Sequence, residues 1–226
     1  MGKLCDHSVF LELKKHARNG RPELMWQVGV AYMDGCFRYV PEERIVAVPV
    51  NRKLATRWLK KAAINGSVGA MIDLASIYYE KGRKDIRRGI PYFEKALYWE
   101  MKAWKKGEDF VAGNIALTYS ALQKRRQSFN WFRKEYAAIR EDLVYIGLCL
   151  AIGYGVRCDK EMSKKIFNKV LHGMSEDSED MIVAKQMLWR LDRKYQTPLL
   201  DPISDLYQLL LNESDSPTKT ERGAVH

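Results

Sequence analysis

Apolar positions recur at helical spacing, in paired runs, along most of this chain. The clearest pair lies between Asp142 and Gly173. Ile146, Gly147 and Leu150 mark one apolar face, with a small residue where a neighbouring helix can come close. Gly153 and Gly155 break that run, and Asp159 is the N-cap candidate for the next. The second run places Ser163, Ile166, Phe167, Val170 and Leu171 on one side, with Lys160, Lys164, Lys165 and Lys169 on or beside the other, and Gly173 ends it. This pattern predicts a helix–turn–helix hairpin of the size of one solenoid unit.

The same hairpin recurs. In the first helix of each unit (helix A), Val28-Gly29 precedes Tyr32, Leu74-Ala75 precedes Tyr78, Ile115-Ala116 precedes Tyr119, and Ile146-Gly147 precedes Leu150. In the second helix (helix B), Trp58, Trp99, Trp131 and Ile166 hold one position, with Lys61, Lys102, Lys134 and Lys169 three residues on. The steps between those positions are 41, 32 and 35 residues, the unevenness expected when insertions fall between helices. One hairpin cannot bury its apolar face alone, so the expected fold is all-α: an α-solenoid of about four repeats. The three tryptophans are expected to be core.

The remaining segments fit around that body. A helix from Ser8 to Asn19 forms an N-terminal cap over residues 1–20, and residues 21–174 hold the repeats. Residues 175–211 supply C-terminal cap helices, Asp180–Lys194 and Pro202–Leu211, and residues 212–226 are polar, aperiodic and expected to be disordered. Between Asp34 and Asn51 an insertion separates helix A from helix B in the first unit. Its β-branched and aromatic residues flank Pro41-Glu42-Glu43, which predicts a small β-hairpin. Two readings stand for it: a binding loop, or a lid over the first groove.

These residues resemble the Sel-one-like repeat family, relatives of the tetratricopeptide repeats. The fourth unit carries Ile146-Gly147, Gly153, Gly155-Val156, Asp159, Phe167 and Lys169 of that pattern, and the first carries Trp58, Lys61, Ala62, Ala63 and Gly66. The second carries Ala70, Leu74, Tyr78, Ala96, Trp99, Lys102, Ala103 and Gly107; the third keeps Tyr119, Trp131, Phe132 and Lys134. The resemblance covers about residues 10–174. It implies a scaffold for binding rather than a particular chemistry. Secreted relatives staple hairpins with cysteine pairs, which the resemblance raises for Cys149 and Cys158; no other unit repeats the pair, and free thiols are the reading of the residues themselves.

Charge sharpens the picture. The net charge is +10, but residues 1–174 hold 32 Lys and Arg against 18 Asp and Glu, while residues 175–226 hold 6 against 10. The basic residues gather in the turns between helices A and B. Arg38 and Arg44 lie in the first turn, Lys81, Arg83, Lys84, Arg87 and Arg88 in the second, Lys124, Arg125 and Arg126 in the third, and Arg157 and Lys160 in the fourth. Equivalent turns stack along one edge of a solenoid, so these charges are expected to form a basic ridge that meets an acidic protein surface, with Phe37 and Tyr39 of the insertion as apolar anchors. The alternative surface is the concave face lined by the A helices, where Trp26, Asp73, Tyr79 and Tyr145 are candidates; inter-repeat packing explains such rings equally well.

No constellation for catalysis emerges. The histidines His7, His16, His172 and His226 have no metal-ligand spacing, and no phosphate-binding loop is present, so neither metal nor cofactor is expected. Ser216 and Lys219 have Ser-x2-Lys spacing, but they sit in the aperiodic tail, which cannot preorganise a nucleophile. No stretch approaches the ~20 apolar residues of a membrane span, and the first residues lack a signal-peptide pattern, which gives a cytoplasmic expectation. The family resemblance implies a sharper role: a cytoplasmic immunity protein that binds and neutralises a cognate secreted toxin. A generic adaptor, and less favourably an RNA- or DNA-binding basic solenoid, are the alternatives.

Overall fold

A computed structural model describes residues 8–39, 44–139, 143–173 and 178–213. The chain is an all-α solenoid of A/B hairpins with, among the described residues, one small β-hairpin, and it divides into two compact units, residues 1–108 and 109–226.

The first unit opens with α1 (Ser8–Arg18), the predicted cap, which packs on α2 (Pro22–Asp34). Phe10 and Ala17 are buried there, and the Phe10 ring meets Tyr32 edge-on at 5.3 Å. Pro22 begins α2, where its missing N–H costs nothing. The insertion forms the expected hairpin, β1 (Cys36–Tyr39) and β2 (Arg44–Ala47), antiparallel, with Cys36 opposite Ala47 and Tyr39 opposite Arg44. Its base is closed by Val48 N–H donating to the Gly35 carbonyl at 2.9 Å and Asn51 N–H to the Tyr32 carbonyl at 2.8 Å. Asn51 then caps α3 (Arg52–Ile64), its side chain accepting from Leu54 N–H at 3.0 Å. The second hairpin is α4 (Val68–Arg83) and α5 (Ile86–Trp104), with Ser67 and Asp85 as N-caps.

The second unit holds α6 (Val111–Ala121) with α7 (Arg125–Ile139), and α8 (Leu143–Ile152) with α9 (Lys160–Gly173). The segments expected to cap the stack form α10 (Glu179–Asp192), packed on α8 and α9, and α11 (Ile203–Glu213), packed on α10 and α6. The last helix therefore runs two residues past its expected end; the rest of the tail lies outside the described residues.

Small residues set the helix crossings as the repeat pattern requires. A Cβ on Gly147 would meet the Phe167 ring at 2.7 Å, so α8 and α9 approach only because that side chain is missing. Gly155 serves a different contact. Its φ is +69°, and an added Cβ would lie 2.2 Å from the Arg125 carbonyl oxygen. The α8–α9 turn thus abuts the α6–α7 turn, the edge-to-edge stacking of turns expected of a solenoid.

The tryptophan position divides. Trp99 and Trp131 are buried, as expected, whereas Trp58 is half-buried and lines a surface groove. Cys149 is buried, which pushes its thiol far above the ordinary range; Cys158 is exposed and donates to the Ala151 carbonyl at 3.2 Å. Both are free thiols, so the hairpin is held by packing rather than by a staple.

Candidate functional site

The N-terminus of α3, the C-terminus of α2 and the C-terminal half of α4 enclose a half-open groove of about 900 Å³ in the first unit. Its lining includes Arg52, Lys53, Lys81 and Lys84, against Asp34 and Glu80. Met33, Ala55 and Ile77 give it apolar ground between the charges. The groove lies at the A–B turns of the first two hairpins, beside the closed base of the β-hairpin. Local sequence explains the charge. The α3 helix starts on Arg52-Lys53 directly after its Asn51 cap, and α4 ends on Lys81 and Arg83, where cations complement the helix C-terminus.

Of the turn residues expected at an interface, Arg83 and Lys84 are exposed at the end of α4, and Lys84 lines the groove. Arg88 is exposed and reaches Asp85 at 3.7 Å, the same Asp85 that caps α5 by accepting from Arg88 N–H at 3.3 Å. The side chain of Arg87, and those of Phe37, Arg38, Tyr39 and Arg44 on the β-hairpin, lie outside the described residues.

In the second unit, Lys124 and Arg126 are exposed, but Arg125 turns inward. Its Nε donates to both Asp201 oxygens, at 3.1 and 2.9 Å, and its Nη2 bonds the same carboxylate. The guanidinium also lies 5.5 Å from the centre of the Tyr154 ring. Beside it, Tyr154 Oη and Ser120 Oγ are 2.5 Å apart, and Ser120 Oγ accepts from Ile203 N–H at 2.7 Å. Burial raises the Tyr154 phenol well above its ordinary range, so it stays neutral. Arg125 and Ser120 therefore fasten the start of α11 onto the end of α6 and the α6–α7 turn.

The alternative set separates into three places. Trp26 Nε1 donates to Asp73 Oδ2 at 2.6 Å, tying α2 to α4. Burial pushes the Asp73 carboxyl up, outweighing the Trp26 donor, and the Asp34 charge adds in the same direction. Tyr79 packs against Phe93 with centroids 5.6 Å apart, inside the α4–α5 hairpin. Tyr145 lies between two rings, 4.8 Å from Phe132 at an interplanar angle of 1° and 5.2 Å from Tyr207 at 19°. Each of these side chains makes structural contacts within its own unit.

Sequence reasoning missed Arg52 and Lys53, because they belong to a helix start rather than to the turn itself. It also missed that Arg125 is committed to a partner 76 residues away. Among the described residues no group of His, Cys, Asp and Glu is placed to hold a metal ion, and no helix is long and apolar enough to cross a membrane.

A stack of A/B hairpins with small residues at the crossings and paired glycines in the turn defines the Sel1-like repeat (SLR) fold, and solved structures bear this out. The chain is similar to c5321, a protective antigen of uropathogenic Escherichia coli strains displaying an SLR fold, with 22% identity and a TM-score of 0.57. That match covers 89% of this chain and 39% of c5321, so this chain spans well under half of that protein's length. It is also similar to a Sel1 repeat protein from Oxalobacter formigenes, with 17% identity, a TM-score of 0.55 and coverage of 93% of this chain and 84% of the other. No protein-family model and no curated protein sequence matches the chain.

Proposed function

We propose that this protein is a non-enzymatic protein-binding solenoid whose contact surface is the basic A–B turn groove of the first unit. The observation that carries this reading is the groove itself. Four cations and two carboxylates surround apolar ground at the edge of the repeats, where loops and turns of such stacks make contacts. Its excess of positive charge suits an acidic protein surface, and its size suits a protruding side chain or loop of the partner. Arg83 and Arg88 extend the positive field beyond the rim. The absence of catalytic motifs in the sequence supports a binding role over an enzymatic one.

The sharper form of the proposal is an immunity protein that covers the active site of a cognate toxin; what supports it is the family resemblance of the sequence. The test is binding kinetics with the isolated partner at several salt concentrations. Reversal of Arg52, Lys53, Lys81 and Lys84 to Glu lowers the association rate and flattens its salt dependence, because rim charges mainly steer encounter. Unchanged kinetics in that variant refute the groove as the interface. Binding to RNA that the same reversal abolishes, with no protein partner recovered, replaces this reading by a nucleic-acid one.

A further inference from the structure

A second basic groove lies on the B-helix face of the first unit, between α1 and α3, with a volume of about 580 Å³. Lys14, Arg18, Arg57, Lys60 and Lys61 line it, and among the described residues no carboxylate does. Its apolar lining is Leu54, Trp58 and Ile64, and Ile64 is 64% exposed. Two of the ammonium groups are held in place. Lys14 Nζ donates to Tyr32 Oη at 2.8 Å, and Lys61 Nζ sits 5.7 Å from the centre of the Trp58 ring. Among the described residues no carboxylate lies within ion-pair distance of Arg18, Arg57 or Lys60.

The groove is built into the repeat. A shallower depression of about 450 Å³ on α7, in the second unit, is lined by Gln127, Asn130, Trp131, Arg133, Lys134 and Ala137. These are the α3 positions Leu54, Arg57, Trp58, Lys60, Lys61 and Ile64 shifted by one constant interval of 73 residues. Lys134 lies 3.9 Å from the Trp131 ring centre, as Lys61 lies over Trp58. Of these two copies, that on α3 adds the neighbouring α1 with Lys14 and Arg18, and it carries the larger Ile64 where α7 has Ala137, so the shared register makes a fuller site there.

We propose that the α1–α3 groove is a second binding site, which takes an acidic peptide segment carrying an aliphatic side chain. The carboxylates pair with the Arg18 and Arg57 forks and with the two placed ammonium groups, while the aliphatic side chain rests on Leu54, Trp58 and Ile64. A peptide is favoured over a nucleic-acid strand because the apolar ground holds a single ring, Trp58, half-buried with an ammonium 5.7 Å from its centre, beside aliphatic Leu54 and Ile64, and so offers no series of rings on which successive bases could stack. This site is separate from the A–B turn groove and stands or falls independently of it.

The experiment is fluorescence anisotropy of a labelled short Asp/Glu peptide with one central Leu, titrated with the full chain. Saturable binding is expected, weakened at least about tenfold by Arg57→Glu combined with Lys60→Glu, and weakened also by Ile64→Ser or by replacing the peptide's Leu with Gly. All three protein positions are exposed, and circular dichroism confirms that the variants stay folded. Lys81→Glu with Lys84→Glu, in the other groove, leaves this binding unchanged. Failure to saturate overturns the proposal, as does equal affinity for heparin and for the Leu-free peptide, which marks non-specific attraction of polyanions. Tighter binding of oligo(U) than of the peptide, or loss of binding on reversing Lys81 and Lys84 instead, overturns it as well.

Discussion

Arg125 offers the sharpest mutational test, because its position suggested a contact residue and its geometry makes it a clamp. Truncation to Ala removes a forked, charge-assisted pair with Asp201. Such bonds contribute about 1.5–3 kcal/mol. The Arg125 side chain is 39% exposed, so solvent screening favours the lower end of that range. Asp201 is only 12% exposed, and leaving its carboxylate unpaired adds a desolvation penalty. The sum is about 2 kcal/mol, concentrated on α11, whose first turn is tied down by Asp201 and by the Ile203 N–H. Native-state hydrogen exchange reads this locally. Amides of α11 are expected to exchange roughly 30-fold faster in Arg125→Ala, while those of α2 and α3 keep the parent rates. A double-mutant cycle with Asp201→Ala should give a coupling of about 1 kcal/mol. Unchanged α11 exchange with zero coupling, in a variant that nevertheless loses its partner, would refute the clamp and return Arg125 to the interface.

Two further outcomes follow from burial. Trp99→Ala should destabilise the protein by about 3–5 kcal/mol in urea denaturation, since the ring is 6% exposed; a loss below about 1 kcal/mol would contradict its core placement. Asp73 has a carboxyl raised by burial, so the folded state favours its neutral form, and the resulting stabilisation is present at acid pH and lost as pH rises through the folded value. Asp73→Asn keeps an oxygen to accept from Trp26 and should therefore equal or exceed the parent's stability at neutral pH, with the difference shrinking on acidification. Denaturation midpoints measured across pH check this, and a variant that is destabilised at neutral pH but not in acid would reverse the assignment.

Much of the fold was legible because it is written in local spacing. Ile146-Gly147 and the paired Gly153 and Gly155 mark a helix crossing and a turn by residue type alone, and the structure supplies the contacts that demand them, Phe167 and the Arg125 carbonyl. The β-hairpin was legible for the same reason, since alternation and Pro41 act within a few residues. The candidate site was less so. A run such as Lys124-Arg125-Arg126 declares its charge but not which member turns inward, and that is decided by Asp201, far along the chain and brought near only by α11 packing on α6. Likewise the shared Trp register predicts one environment for Trp58, Trp99 and Trp131, yet Trp58 is half-buried in a groove beside α1, whereas Trp99 and Trp131, the latter at the floor of a smaller depression, are buried. Sequence periodicity fixes a face; what covers the face is a matter of tertiary neighbours.

The measurement that bears most directly on the central claim is site-specific photo-crosslinking in the cells that make this protein. A photoreactive residue at Thr56 or Ser76, both in the lining of the A–B turn groove, should capture one discrete protein with an acidic surface. The same probe at Gln127, on the B-helix face of the second unit, should not, and the crosslink should vanish when Arg52, Lys53, Lys81 and Lys84 are reversed to Glu. A protein captured equally from Gln127, or a crosslink indifferent to charge reversal, would contradict the account.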